Sequence, residues 1–322
     1  MNPFPDNAEA LQQRAIALIK PLIPPDAEER VHRAYKEFRQ IVGTHIRAET
    51  RLTLADEETR DNVPVKIVDG FPVSVAQLID SNQDRTLWRL ILALPKLGGI
   101  IEGLGALVTH WDEFERWLEL PPTVKGSKPS LEKSLEVART LQTLAVTKKI
   151  FDQLKLINED ILGVYRFGDR EGPRVEIYWM AHALFAGAFG LRIEDLTVVT
   201  LAHELSHAYT HIGRDIDGKT WAEPGFAKSD LHVVEGLAQF YTLAVADKLN
   251  VRAPGVLPAF TKLLEFQSDP YKAHQEWLKD SPKQRGESVR FAMLRARGRE
   301  QVANDAWLDM LVETKTTLTQ KP

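Results

Sequence analysis

Apolar positions along the first half of the chain recur mostly three and four residues apart, the spacing of a helix with one buried face. Residues 7–20 and 26–50 read as helices on this basis. In "DAEERVHRAYKEFRQIVGTHIR", Val31, Tyr35, Phe38 and Val42 make one apolar stripe. Asp26 with Glu29 three positions on is a capping-box signature. The β-branched residues around Asp69-Gly70 in "VPVKIVDGFPV" predict a short hairpin over 63–73. Helices are expected over 75–94 and about 100–119, a Pro/Gly/Ser-rich loop over 121–130, and a long helix over about 130–157.

After residue 158 the period changes. "ILGVYRFG" and "PRVEIYWM" enclose the turn signal "DREG", which predicts a hairpin. Its second strand alternates, with Val175, Ile177 and Trp179 on one face. A helix is expected from about Asp195 to His211, with Gly213 suited to its C-terminal cap. A loop follows, then a helix from Ser229 or Asp230 to about Leu249, then helices with polar breaks over 256–315. The expected fold class is α+β and mostly helical: a helical N-terminal region over 1–158, then a region over 159–322 with a small sheet ahead of its main helix.

Composition narrows the chemistry. The chain has 322 residues, 43% of them apolar, which suits a folded core rather than disorder. A net charge of -4 argues against a nucleic-acid partner. There is no cysteine, so disulfides, thiolate catalysis and thiolate metal sites are excluded. The apolar runs "LWRLILALPKLGGIIEGLGALV" and "YWMAHALFAGAFGL" are interrupted by charge, Pro or Gly, which argues against a membrane span. The opening "MNPFPDNAEALQQRAIALIK" lacks the pattern of a signal peptide. The expected location is the cytoplasm.

Three of the nine histidines lie four apart in "TVVTLAHELSHAYTHIG". His203 and His207 fall one helical turn apart on one face, where two imidazoles can hold one zinc ion. Glu204 lies about 100° round the helix, beside such an ion. This is the HExxH arrangement of two ligands and a general base, in which zinc acidifies a water and the glutamate takes its proton. His211 is two turns from His203, about 12 Å along the axis, too far to join them easily. Glu235, in "DLHVVEGLAQFYTLAVADKL", is the better third ligand, with His232 as a rival or supporting group. Ala238 one turn on is small enough to let the two helices approach.

His203-Glu204-x-x-His207 with a downstream helical Glu235 resembles the zincin metallopeptidases, in the gluzincin branch that includes the thermolysin-like enzymes. The resemblance covers about 165–250. "HELSHAYTH" with "EGLAQFY" is also similar to the small intracellular zincins that cleave phage repressors. It implies one Zn2+ per chain held by His203, His207 and Glu235, with Glu204 as base. It also implies hydrolysis of a protein or peptide, with "PRVEIYWM" as the edge strand that aligns the substrate. The aspartate often found four residues after the gluzincin glutamate is replaced by Gln239. That departure leaves open an inactive zincin-like binding or regulatory module as the alternative to a zinc-dependent endopeptidase, whether general or dedicated to one intracellular partner.

Tyr209, His211, His232, Tyr241 and Arg290 are candidate cleft or oxyanion residues. Asp215 and Asp217 read as turn residues rather than a calcium loop. "SPKQRGESVRFAMLRARGRE" reads as a solvated helix face.

Overall fold

The structure is a computed structural model and describes residues 7–54, 63–118, 121, 124–142, 145–157, 160–277 and 282–319. Helices α1 (Asn7–Ile19) and α2 (Ala27–Thr50) flank a 3-10 turn at Lys20–Leu22. Strand β1 (Val65–Val68) precedes α3 (Val73–Asp80), α4 (Arg85–Thr109), α5 (Trp111–Trp117), α6 (Lys128–Gln142) and α7 (Ala145–Leu154). Strands β2 (Gly163–Arg166) and β3 (Arg174–Tyr178) lead into α8 (Trp179–Phe189) and α9 (Ile193–Ile212). The chain continues through α10 (Glu223–Lys228), α11 (Leu231–Leu249), α12 (Val256–Leu264), α13 (Asp269–Lys272), α14 (His274–Trp277), α15 (Pro282–Ala296) and α16 (Asn304–Thr319). The molecule is thus mostly helical with one small mixed sheet, an α+β arrangement.

The sheet order is β1-β3-β2. The expected β2–β3 hairpin is present, antiparallel, with Tyr165 opposite Val175 and Gly163 opposite Ile177. The expected hairpin over 63–73 is not. Gly70 adopts φ 85, but Pro72 then starts α3, so only β1 forms, and it pairs in parallel with β3. "PRVEIYWM" is therefore the central strand rather than an edge, and β2 is one free edge. The alternation also stops early, because Trp179 opens α8 instead of extending β3. That apolar helix, unforeseen from the sequence, ends at Gly190 with φ 70, a left-handed cap that glycine adopts without strain.

Other boundaries shift for local reasons. Asp84 accepts from the Thr86 N–H and starts α4, which runs on through Pro95 and the Gly98-Gly99 pair. The expected break near residue 95 is thus a break near residue 82. Asp26 makes no side-chain cap bond, and exposed Glu29 lies near Arg33 instead, so the capping box does not form. The long helix expected over 130–157 is described as α6 and α7 on either side of residues 143–144, which lie outside the described residues, as do 158–159 at the expected domain division. Across that division the sheet and one continuous core join both halves. Among the described residues α4 is the only helix long and apolar enough to cross a membrane, and 6% of its most apolar stretch is buried.

Helix α9 lies at the centre, packed by α2, α8, α11 and α12 and by strands β2 and β3. Two long-range contacts tie it to α2. Tyr209 Oη donates to the Gly43 carbonyl at 3.1 Å. Arg30 donates to both carboxylate oxygens of Glu194, each at 2.8 Å.

The Arg30 pair draws the Glu194 carboxyl from 4.5 down to about 2. A depressed carboxyl stabilises the fold above its unfolded pKa, and that contribution is lost as pH falls through the folded one. Glu194→Gln is expected to cost about 1–2 kcal/mol at neutral pH. The gap to wild type should shrink as pH falls from 4.5 towards 2, which urea unfolding at two pH values measures.

Candidate metal centre

All of α9 from Asp195 to His211 is buried, although it carries eight polar side chains between Thr197 and His211. A helix enclosed on all sides must satisfy its polar groups internally. The hydroxyls do so locally: Thr197, Thr200, Ser206 and Thr210 each donate to the carbonyl one turn back, at 2.7–3.0 Å. The ionisable groups cannot, and they gather on one stripe.

His203 Nε2 and His207 Nε2 lie 3.1 Å apart. Glu235 Oε2, from α11, lies 3.2 Å from the first and 3.3 Å from the second. Three lone-pair atoms at these separations need a cation or protons between them. Ligands 2.0–2.1 Å from a tetrahedral ion sit about 3.3–3.4 Å from each other, which the observed triangle nearly matches. A fourth group completes the set: Asp160 Oδ1, 3.1 Å from His203 Nε2. The four donor atoms all lie within 4.8 Å of one another. The donor set of two imidazoles and two carboxylates suits a divalent ion with N/O preference, zinc among them.

Asp160 stands just before β2 and had no sequence signal beyond that position. Its Oδ1 accepts from Tyr271 Oη at 3.0 Å. Tyr271, on α13, is 1% exposed, and its ring stacks on His203 at 5.8 Å between centroids. His203 Nδ1 has no hydrogen-bond partner among the described residues, so this stacking and the Nε2 contacts to Asp160 and Glu235 orient the ring. Burial opposes charge on His203, but the carboxylates of Asp160 and Glu235 outweigh it and hold the imidazole well above its ordinary value. Burial likewise opposes charge on Glu235, and the two histidines outweigh it and hold that carboxyl low.

Glu204 differs. Burial, then the Asp160 charge, push its carboxyl well above the ordinary range. It accepts one backbone N–H, from Tyr165 on β2. Its Oε2 and the Gln239 Oε1 are buried with no hydrogen-bond partner among the described residues. Both residues line a cavity of about 20 Å³, together with Asp160, His203, Gln267 and Gly163 of β2. That is room for one water, since roughly 10–15 Å³ suffices. A water there can donate to both orphaned acceptors. Strand β2 passes this close because residue 163 is glycine: a Cβ would meet Thr200 Cγ2 at 2.7 Å and Glu204 Oε1 at 2.9 Å.

The candidate cleft residues lie elsewhere. His211 is enclosed by aromatic rings, stacked on Phe226 at 4.4 Å, with Nδ1 3.1 Å from Tyr165 Oη. Burial lowers its pKa to about 4, which keeps it neutral. Tyr209 faces α2, and Tyr241 Oη points to Met293 Sδ on α15. His232 is partly exposed and pairs with Asp230, the N-cap of α11. Arg290 binds the Thr50 carbonyl and Asp215. Gln239 donates to Gln267 and reaches no ligand histidine. Asp217 accepts from the Lys219 N–H in a turn, as expected. The basic segment is not simply a solvated face, because Arg290 and Arg297 are buried and bind backbone carbonyls.

Comparison with known proteins finds no match to this chain among family models, curated proteins or solved structures.

The geometry predicts about one divalent ion per chain. His203→Ala and Glu235→Ala should each weaken its binding by roughly 100-fold or more. Equilibrium dialysis with elemental analysis checks this, and undiminished binding in both variants would show that protons alone fill the site. A second expectation concerns Gly163. Gly163→Ala should destabilise the fold by about 1–3 kcal/mol through overpacking against Thr200 and Glu204, read as a lowered Tm.

Proposed function

We propose that this protein is a zinc-dependent hydrolase of peptide bonds, with Glu204 as the general base. The observation that carries the reading is the convergence of His203, His207 and Glu235 within 3.3 Å beside a buried carboxyl that faces a water-sized cavity. A zinc ion held there supplies Lewis acidity toward water and toward a carbonyl oxygen. The chain's own groups do the rest. Glu204 is separated from bulk water, and burial raises its proton affinity towards the range a general base needs. Gln239 Oε1 and Glu204 Oε2 offer two acceptors that hold the attacking water in one orientation. Tyr271 Oη is a hydroxyl donor placed next to the ligand set, and in this reading it takes the oxyanion role for which the sequence offered the cleft residues.

Two details extend the proposal. The enclosed site favours a restricted substrate, so an endopeptidase dedicated to one partner protein suits it better than a general digestive enzyme. The net charge of -4 and the lack of cysteine suit a cytoplasmic protein that does not act on nucleic acid. A second reading has its own support: Asp160 closes the fourth position, and closed sites with four protein ligands are usually structural. That favours a metal-stabilised binding module without catalysis.

The test is Glu204→Gln, assayed against a peptide mixture by mass spectrometry. Under the peptidase reading it keeps its metal and loses hydrolysis by roughly 10²–10⁴-fold. Cleavage that persists unchanged, or a wild type with metal but no cleavage of peptides or partner proteins, would favour the binding module.

A further inference from the structure

The cavity beside Glu204 has room for about one water. A peptide carbonyl cannot reach Glu204 while residues 160–163 keep their place. The side of the His203–His207–Glu235 triangle where a water or carbonyl must bind is where Asp160 Oδ1 sits, 3.1 Å from His203 Nε2. That oxygen is held there by the 3.0 Å hydrogen bond from Tyr271 Oη. Tyr271 is itself immobilised, with its ring against His203 and its hydroxyl buried. Asp160 is the most exposed of the four candidate ligands, with 15% of its side chain accessible, against 5–10% for the others. It is also the only one carried by irregular chain rather than a helix.

We propose that Asp160 is a displaceable fourth ligand, latched by Tyr271, that keeps the centre closed until its segment is drawn aside. The inference rests on the metal-dependent reading above. In the exchange the Asp160 carboxylate leaves as an anion, and a neutral water or substrate carbonyl takes its place, with no proton moved. The centre loses one negative charge, which strengthens the Lewis acid left behind. The same step frees the Tyr271 hydroxyl, which then points at the vacated position and can donate to an oxygen bound there. Closure and catalysis thus use the same tyrosine, first on Asp160 and then on the substrate.

The test uses full-length protein loaded with Co2+, whose visible absorption reports the ligand set, and acetohydroxamate as an exogenous oxygen ligand. Wild type, Asp160→Ala and Tyr271→Phe are compared, each shown folded by circular dichroism. Asp160→Ala is expected to keep about one cobalt. Its spectrum should respond to acetohydroxamate at a concentration at least tenfold lower than wild type needs. Tyr271→Phe, which keeps the ring and removes only the latch bond, should fall between them. A wild-type response as sensitive as that of both variants would show the position already open and overturn the proposal. Loss of cobalt from folded Asp160→Ala would overturn it too, because Asp160 would then be a permanent ligand of a structural site. A wild type that binds no cobalt at all would instead strike at the metal reading itself.

Discussion

The structure depends on burying one helix completely while that helix carries ionisable side chains. Removing α9 from water on all sides makes each charge on it costly unless a partner of opposite sign is close. The hydroxyls of Thr197, Thr200, Ser206 and Thr210 solve their part within the helix. His203, Glu204 and His207 cannot, so neighbouring elements must bring their partners: Glu235 from α11, Asp160 from ahead of β2, and the Tyr165 N–H from β2 itself. The result is a small volume with three carboxyls and two imidazoles and space for one water. In such a volume electrostatic interactions are little screened, so a bound cation has strong effects there.

The N-terminal elements take part in this enclosure rather than forming a separate body. Helix α2 lies along α9 and is fixed by Arg30–Glu194 at one end and by Tyr209–Gly43 further along. Beyond α2, the Thr53–Arg214 bridge closes the end of α9. Strand β1 supplies the third strand and makes β3 central, which leaves β2 as the edge over the ionisable stripe. The first 158 residues have little ionisable chemistry at the centre, yet without β1 and α2 one side of α9 would face water.

A small residue at one point sets how close this enclosure can be. Gly163 lets β2 descend onto Thr200 and Glu204, and the same descent brings Asp160 to the ligand triangle and the Tyr165 N–H to Glu204. The glycine, the acidic residue and the backbone donor belong to one short segment. The geometry of the site therefore follows the path of that segment more than the identity of any single ligand.

What the sequence determined by itself is what lies within single elements. The four-residue spacing of His203 and His207 puts them on one face because a helix repeats every 3.6 residues. Asp230 caps α11 through the His232 N–H, a contact two residues long, and the β2–β3 turn is equally local. Glu235 was legible because it lies on a second predicted helix soon after the motif. The rest required distant parts of the chain to meet. Asp160 and Tyr271 are 111 residues apart, and β1 pairs with a strand more than a hundred residues on. His211, Tyr209 and Tyr241 are of the same residue types as the clustered His203, His207 and Tyr271, and only packing turned them towards Phe226, Gly43 and Met293. Backbone periodicity fixes direction over a few residues. Which surfaces then face each other is settled by burial of the whole apolar surface, and no short stretch of sequence encodes that.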